Sequence, residues 1–273
     1  MNEAATPRSA DGGTALYVYG VVPKDSSADL FADVRGIDPS QPVVLLANGA
    51  VAAITSAVPL DEFGVDAIEN HLRDPNWLEQ KVRAHDAVLE AALGRTTVLP
   101  FRFGAVYLGE KQVRQMLVDR PELEDILSRL RGMVELGVKG ILERETFRDR
   151  LATERGIEQE SLPSGRAYME RKQLDRDLDE AVGTFAADCA QDSHEQLAAV
   201  AAEARANPVH RPELTGPDRE MLLNGAYLVH NDHVDGFRSA LAMLQARYRA
   251  DGVTYELTGP WPPYNFVQDE EEA

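Results

Sequence analysis

The chain of 273 residues contains a single cysteine, Cys189, and has no long run of apolar residues. One cysteine excludes an intramolecular disulfide and argues against a zinc site built from cysteines. Cys189 lies in an apolar helical row without close basic neighbours, so we interpret it as a small core side chain. No stretch approaches the roughly 20 apolar residues that span a bilayer. A chain without disulfides fits a reducing cytoplasm.

Basic residues are also scarce: the chain has 28 of them against 46 acidic residues, for a net charge of −18. Such a surface repels nucleic acid and anionic lipid, so we expect neither as a partner. Residues 1–14 lack the apolar segment of a secretory signal, and we predict a disordered lead-in there. Hydrophobic residues make up 44% of the chain, enough to bury real cores.

Strand and helix patterns follow one another along the first half. The strongest turn signal is Asn48-Gly49, which predicts a hairpin. Asp74-Pro75 marks the entry of a helix, and Pro121 breaks another helical segment. The further predicted elements of this half are strands at Leu16–Val22, Val43–Leu46, Val51–Thr55 and Thr96–Phe103, and helices starting near Asp61 and covering Glu110–Leu130.

The second half alternates strands with two helices. Pro163-Ser164-Gly165 opens a long helix that we expect to continue to Ala206, and Asp232 is predicted to cap the second helix. The order strand, helix, strand, strand, helix, strand is that of a ferredoxin-like domain. The elements are a strand Met133–Ile141, a charged helical or irregular insertion over 142–161, the long helix with its apolar row Leu174, Leu178, Val182, Phe185 and Cys189, a short strand, a strand Leu222–His230, the second helix, and a strand Val253–Leu257.

We therefore predict an α+β protein of two domains with antiparallel sheets packed with helices. The predicted boundaries place a disordered lead-in at 1–14, an N-terminal α+β domain at 15–131, a C-terminal ferredoxin-like domain at 132–258, and an extended proline- and aromatic-rich tail with an acidic end at 259–273.

Motifs for catalysis are missing from the sequence. It contains no glycine-rich phosphate loop and no nucleophile elbow. His230 and His233 are the best metal candidates, but they straddle a strand-to-helix junction, where an ordinary loop with a capping Asp232 is the better interpretation. His85 and Asp86 are adjacent helical residues and point about 100° apart, so they do not face each other. We predict no catalytic residue, no metal and no cofactor.

One segment that breaks local rules surrounds Pro100. A proline in a strand removes a hydrogen-bond donor, so Pro100 must lie at an edge or a bulge. In a strand Phe101 and Phe103 point to one face and Arg102 to the other. The segment is either two core rings with a surface arginine or a partner-binding motif.

A second such segment is the tail at 258–267. Its three prolines exclude a helix and a central strand and predict a polyproline II conformation. In that conformation Trp261 and Tyr264 lie on the same side. The rings either pack on the second domain, which we expect mainly, or serve as a binding surface.

Five motifs together resemble the gas vesicle protein F/L family, over residues 15–267. They are the tail Leu257-Thr-Gly-Pro-Trp-Pro-Pro-Tyr-Asn-Phe-Val267, the central Leu99-Pro-Phe-Arg-Phe-Gly104, the opening Leu16-Tyr-Val-Tyr-Gly20, and the shorter Ser164-Gly-Arg-Ala-Tyr168 and Asn224-Gly-Ala-Tyr-Leu-Val229.

The resemblance implies an accessory or minor structural protein of gas vesicles, cytoplasmic and vesicle-associated. It also implies early assembly, binding of the small hydrophobic shell protein and of other accessory proteins, two α+β domains, no enzymatic activity and no cofactor. The F and L branches are not distinguished. The predicted protein-binding residues are Pro100, Arg102, Phe103, Trp261, Pro262, Pro263, Tyr264 and Phe266.

Two other functions stay open. One is a small-molecule enzyme or sensor on a ferredoxin-like scaffold, with sites around Arg102 or at His230 and His233. The other is a scaffold that binds only its own copies.

Overall fold

The computed structural model describes residues 13–155, 165–209 and 218–267. Within them the chain is an α+β protein with two antiparallel sheets packed with eight α-helices. It divides into two compact units: the first comprises Met1–Val134 and Trp261–Ala273, and the second comprises Glu135–Pro260. None of the helices in the described ranges is long and apolar enough to cross a membrane.

The sheet of the first unit has the order β2-β3-β1-β4, with β5 pairing β1 as well. β1 runs antiparallel to β3, β4 and β5, and β2 runs antiparallel to β3. The predicted hairpin is confirmed, because Asn48 pairs with Val51 across a two-residue turn in which Gly49 has a φ of 62°. The strands are β1 Thr14–Pro23, β2 Val43–Asn48, β3 Val51–Pro59, β4 Leu99–Pro100 and β5 Val106–Tyr107.

The helices of the first unit start where the sequence signals them. Asp74 accepts a hydrogen bond from the amide of Asn76 and caps α3, and Pro121 separates α4 from α5, so both predictions are confirmed. The helices are α1 Leu60–Phe63, α2 Val65–His71, α3 Pro75–Ala92, α4 Glu110–Asp119 and α5 Glu122–Arg129.

The predicted strand Thr96–Phe103 is much shorter than expected. Only Leu99–Pro100 forms a strand, at the end of the sheet beside β1, which is the edge position that proline requires. Gly20 permits this pairing, because a Cβ atom there would overlap the carbonyl oxygen of Leu99. The close approach therefore gives the glycine of the opening motif a packing role.

The sheet of the second unit has the order β7-β8-β6-β9. Its core packs sheet residues such as Leu136, Tyr227 and Val229 against helix residues such as Val182 and Phe237. The elements are β6 Met133–Glu143, α6 Arg144–Glu154, α7 Gly165–Ala198, β7 Glu203–Ala206, β8 Arg219–His230, α8 Val234–Tyr248 and β9 Val253–Trp261.

Two predictions for this unit are wrong. α7 ends at Ala198 and does not continue to Ala206, because residues 203–206 pair with β8 and this ladder overrides the helix propensity of alanine. Asp232 does not cap α8; its amide instead donates to Nδ1 of His230, which caps a short 3-10 turn. Ser164, the first residue of the 164–168 motif, lies outside the described residues.

The tail is not a polyproline II ribbon. β9 continues to Trp261 at the edge of its sheet, and an edge strand is a position that accepts a proline such as Pro260. Residues Tyr264–Phe266 then form a 3-10 turn, and the ψ of Pro263 is 60°, far from the polyproline II value of about 145°.

Candidate functional site

Two tyrosines of β1 lie at the centre of the first unit. The register of β1 against β3 shifts between Val18 and Gly20, so Tyr19 occupies a bulge. Tyr17 and Tyr19 are both fully buried, and their ring centroids are 4.9 Å apart. Buried phenol hydroxyls need partners, and each of these two has more than one. The Tyr19 hydroxyl lies 2.6 Å from Oγ of Ser56 and accepts from the amide of Ile37 at 2.7 Å.

α3 brings His85 against the other tyrosine. Nδ1 of His85 lies 2.9 Å from the hydroxyl of Tyr17, which also accepts from the amide of Gly104 at 3.1 Å. The ring of Phe103 covers this group, with its centroid 6.1 Å from those of Tyr17 and His85 and 6.3 Å from that of Trp77. The central motif therefore contributes both a ring and a backbone amide to the site.

We call residues 261–267 the strap; they belong to the first unit. The Tyr264 hydroxyl lies 3.0 Å from Nε2 of His85 and donates to Oδ1 of Asp86 at 3.3 Å. Arg129 donates to the carbonyl oxygen of Phe266 at 2.6 Å, and the Phe266 ring is buried. The expectation that the tail packs mainly on the second domain is therefore wrong, because its anchors lie on α3 and α5 of the first unit.

The hydrogen bonds of this site run in one direction. Because Tyr264 donates its proton to Asp86, it must accept from Nε2 of His85, which therefore carries the imidazole proton. Nδ1 is then the acceptor for Tyr17. The series of hydrogen bonds from the Gly104 amide through Tyr17, His85 and Tyr264 to the Asp86 carboxylate is complete only when His85 is neutral.

Burial keeps the side chains of this hydrogen-bond series in their neutral forms. It lowers the pKa of His85 to about 4, against a weaker opposing effect of a hydrogen bond with the backbone of Phe101. Burial also raises the pKa of Tyr17, and it raises the pKa of Asp86 against the opposing hydrogen bond from Tyr264. At pH 7 the imidazole of His85 and the phenol of Tyr17 are therefore neutral, as the direction of these hydrogen bonds requires.

The eight predicted binding residues fall into three groups by exposure. Arg102 is exposed and Trp261 is 42% exposed. Phe103 and Tyr264 are half-buried. The four buried residues are Pro100, Pro262, Pro263 and Phe266.

Two predicted side-chain arrangements differ from the structure. Phe101 does not share the surroundings of Phe103. The guanidinium carbon of Arg120 lies over the Phe101 ring, 5.4 Å from the centroid of that ring. The chain leaves the strand after Pro100, so the alternation that the prediction assumed does not apply. Trp261 and Tyr264 also have different surroundings, because the first is exposed and the second reaches His85.

The other candidate sites are simpler. The rings of His230 and His233 have centroids 5.7 Å apart. The described ranges contain no group of three or more histidine, cysteine or acidic residues placed to hold a metal ion. Cys189 is buried 3.6 Å from the hydroxyl of Tyr255, and burial raises the pKa of its thiol.

His85 and Asp86 are the residues whose role the sequence did not reveal. Both lie on α3, and Tyr264, a residue distant in sequence, bridges them. One sequence signal could have indicated the role of His85: it shares a helical face with the apolar Val88 and Leu89. A histidine on such a face is buried, and a buried imidazole needs hydrogen-bond partners.

The geometry defines an α+β protein whose most distinctive site binds the strap of the same chain. Residues 15–268 match the model of the family described as "Gas vesicle synthesis protein GvpL/GvpF". The chain belongs to this family.

Two relatives agree with the family, and two solved structures share the fold. Gas vesicle protein L of Streptomyces sp. (strain CB03234) is 33% identical over 94% of both chains, and gas vesicle protein F of the same strain is 31% identical over 93% of this chain and 100% of its own. The crystal structure of GvpF from Anabaena sp. PCC7120 superposes with a TM-score of 0.68 at 19% identity, over 95% of this chain and 98% of that one. GvpF from Microcystis aeruginosa gives a TM-score of 0.63 at 22% identity, with 93% and 99% coverage.

Proposed function

We propose that this protein is a non-enzymatic assembly factor that binds the hydrophobic gas vesicle shell protein and helps to nucleate or chaperone vesicle formation. The observation that carries the proposal is the family match over residues 15–268. An assembly factor of this kind works in the cytoplasm beside the growing vesicle and contacts other gas vesicle accessory proteins.

The charge of the chain supports this role. A shell subunit that builds a water-repelling wall has a large apolar face and aggregates when that face is free in water. A binder with a net charge of −18 keeps the complex dispersed through charge repulsion. Binding that covers part of the apolar face therefore slows aggregation until the subunit is added to the vesicle.

Exposure narrows the candidate contact residues. A partner can reach Arg102 and the ring of Trp261 directly, and it can touch the half-buried Phe103 and Tyr264 at their edges. Large aromatic rings and arginine dominate the binding energy of many interfaces. We therefore assign direct contact to Arg102 and Trp261, and a supporting role to the four buried residues of the two motifs.

Pull-down with purified shell protein tests the proposal. We expect Arg102→Ala and Trp261→Ala each to weaken binding at least tenfold while the melting temperature stays within a few degrees of the unsubstituted protein. Arg73→Ala and Met243→Ala are matched controls, since both side chains are exposed and lie outside the two motifs. Absence of shell protein from pull-downs of the unsubstituted chain contradicts the proposed function, whereas full binding by both variants contradicts only the assigned contacts.

The second unit supports a finer description of the fold. We infer a ferredoxin-like domain, because its strands follow one another as β6, β7, β8 and β9 but lie side by side as β7-β8-β6-β9, with α6 and α7 after the first strand and α8 after the third. On this interpretation the two compact units are two domains, and the second can be tested for independent folding by expressing it alone.

A small-molecule enzyme or sensor remains the alternative. Its sites would lie around Arg102 or at His230 and His233. A melting screen against metabolites and divalent cations separates the two functions, because a ligand that binds the folded state at 100 times its Kd stabilises it by about 2.7 kcal/mol. A reproducible shift that is lost in His230→Ala or Arg102→Ala favours the alternative.

A further inference from the structure

The strap ends beside exposed arginines of the first unit. Arg129 is the last residue of α5 and donates to the carbonyl oxygen of Phe266 at 2.6 Å. Arg131 follows two positions later, and both arginines are exposed. Val267 comes directly after the anchored carbonyl, so the chain leaves the strap next to two positive charges.

Arg102 of the central motif belongs to the same region. The ring centroid of Phe103 is 6.1 Å from that of His85, which anchors the strap on α3. On the other side, the ring of Phe101 lies under the guanidinium of Arg120, two positions before the start of α5. Arg102 is exposed between these two rings. It therefore lies between the two helices to which the strap is anchored.

The residues that follow the strap carry the opposite charge. Positions 268–272 read Gln-Asp-Glu-Glu-Glu, so four carboxylates follow Val267 within five positions. We call residues 269–272 the acidic segment, and Arg102, Arg129 and Arg131 the arginine surface. We propose that the acidic segment docks on the arginine surface of the same chain and covers it.

Charge selects this occupant. The chain has a net charge of −18, so its surface as a whole repels a segment with four negative charges. A local group of arginines is where such a segment is attracted, because guanidinium groups bind carboxylates through charge-assisted and often bidentate hydrogen bonds. α5 carries its acidic residues in its first turn and Arg129 in its last turn, so the end of the helix nearest the strap is the basic one.

The connection to the strap favours the same occupant. The two strap anchors are only two positions apart in the chain, with Tyr264 on α3 and Phe266 on α5, so the two helices lie close together there. Five extended residues after Val267 span up to about 17 Å, which is long enough to follow the arginine surface. Exposed ion pairs are individually weak, but a short tether raises the effective concentration of the acidic segment to the millimolar range.

Docking gives the acidic segment a regulatory role, and this consequence rests on the proposed function. Arg102 is one of the two residues to which we assign direct contact with the shell protein. A partner that binds there has to displace the acidic segment, so its apparent affinity falls with the fraction of chains in which the arginines are covered. The cover therefore favours partners that bind tightly over weak and unspecific ones.

Backbone amide chemical shifts test the docking in the full chain. In one variant the acidic segment is neutralised by Asp269→Asn with Glu270→Gln, Glu271→Gln and Glu272→Gln. We expect the amides of the arginine surface to differ between this variant and the unsubstituted chain at about 0.01 M salt. They should coincide at about 1 M salt, where the Debye length falls from about 30 Å to about 3 Å.

Two comparisons make this measurement specific. Arg73 is an exposed arginine outside the arginine surface, and its amide should be the same in both proteins. Arg131→Ala in the unsubstituted chain should reduce the difference at Arg102 and Arg129, because it removes one of the three charges that hold the acidic segment. Identical low-salt shifts at all three arginines in the neutralised and unsubstituted chains overturn the docking.

Binding of purified shell protein then tests the cover. We expect the neutralised chain to bind at least threefold more tightly than the unsubstituted chain at low salt, and equally tightly at high salt. A control chain loses four charges at other exposed positions and should show no such gain; its changes are Asp66→Asn, Glu69→Gln, Glu180→Gln and Asp188→Asn.

The outcomes separate the cover from the proposed function. Equal binding by the neutralised and unsubstituted chains at low salt overturns the cover, even if the chemical shifts show docking. Shell protein that binds none of the chains contradicts the proposed function instead, and the chemical shifts then decide the docking alone.

Discussion

The hydroxyl of Tyr264 lies 3.0 Å from Nε2 of His85, although 179 positions separate the two residues in the chain. The same hydroxyl donates to Asp86, the neighbour of His85 on α3. A single phenol thus bridges two adjacent helical residues that do not face each other. This bridge ties a segment at the end of the described chain to the tyrosine pair of the first strand.

Removal of the Tyr264 hydroxyl should destabilise the first unit. Tyr264→Phe keeps the ring but leaves the buried Nε2–H of His85 without its partner, which costs about 1 to 3 kcal/mol. Thermal melting should show a decrease of several degrees. Tyr107→Phe is the matched control, because this half-buried phenol has no hydrogen-bond partner among the residues that the structure describes. Equal effects of the two changes would show that the bridge contributes nothing specific.

The glycine of the opening motif should not tolerate a side chain. Gly20→Ala places a Cβ against the carbonyl oxygen of Leu99 and must push β4 away from β1, at a cost of about 1 to 3 kcal/mol. Gly183→Ala is the control, since its Cβ meets no atom within 4 Å in α7 and alanine favours the helix by about 0.5 to 1 kcal/mol. Urea denaturation should give shifts of opposite sign; a stable Gly20→Ala protein contradicts the close pairing of these strands.

Acidification should weaken the fold through His85. Burial lowers the pKa of His85 in the folded protein from its ordinary value of 6.5 to about 4, so between these two values the unfolded chain binds more protons. The contribution of neutral His85 to the free energy of unfolding is fully present above pH 6.5. It is lost as the pH falls towards 4, which lowers the free energy of unfolding by about 3 kcal/mol. The raised pKa of Asp86 offsets part of this loss, because a carboxyl that binds its proton more readily when folded gains stability at low pH.

Urea midpoints at pH 7 and pH 4.5 measure this effect. His85→Gln should be less stable than the unsubstituted protein at pH 7 and should lose less stability on acidification, because glutamine does not titrate. His230→Gln replaces an exposed histidine and should retain the full decline. If His85→Gln declines as steeply as the unsubstituted protein, another group causes the loss.

The central motif should separate packing from surface contact. Phe103→Ala removes a half-buried ring from the cluster of Tyr17, Trp77 and His85, and should cost about 2 kcal/mol, less than the 3 to 5 kcal/mol expected for the fully buried Phe63→Ala. Arg102→Ala, at an exposed position, should change the unfolding free energy by no more than about 0.5 kcal/mol. Chemical denaturation of the three variants measures the loss of unfolding free energy in each. A larger loss for Arg102→Ala than for Phe103→Ala contradicts the placement of these side chains.

Local chemistry fixed several features that the sequence alone revealed. Asn48-Gly49 makes a tight turn because glycine accepts a positive φ, Asp74 caps α3 because its carboxylate reaches a free amide, and Pro121 ends a helix because it has no amide hydrogen. The apolar row that contains Val182 and Cys189 indicated a buried helix face, and both side chains are buried. Each of these signals involves residues that are close in the chain.

The tertiary structure decided the features that depend on distant partners. Residues 203–206 form a strand because β8 pairs with them, despite their helix-favouring alanines. Phe101 and Phe103 have different surroundings because the chain turns away after Pro100. The strap docks on the first unit because His85, Asp86 and Arg129 supply its hydrogen-bond partners there. No local pattern of residues 261–267 encodes the position of those groups. Sequence periodicity identifies which side chains are buried, but only the packed chain determines what they are buried against.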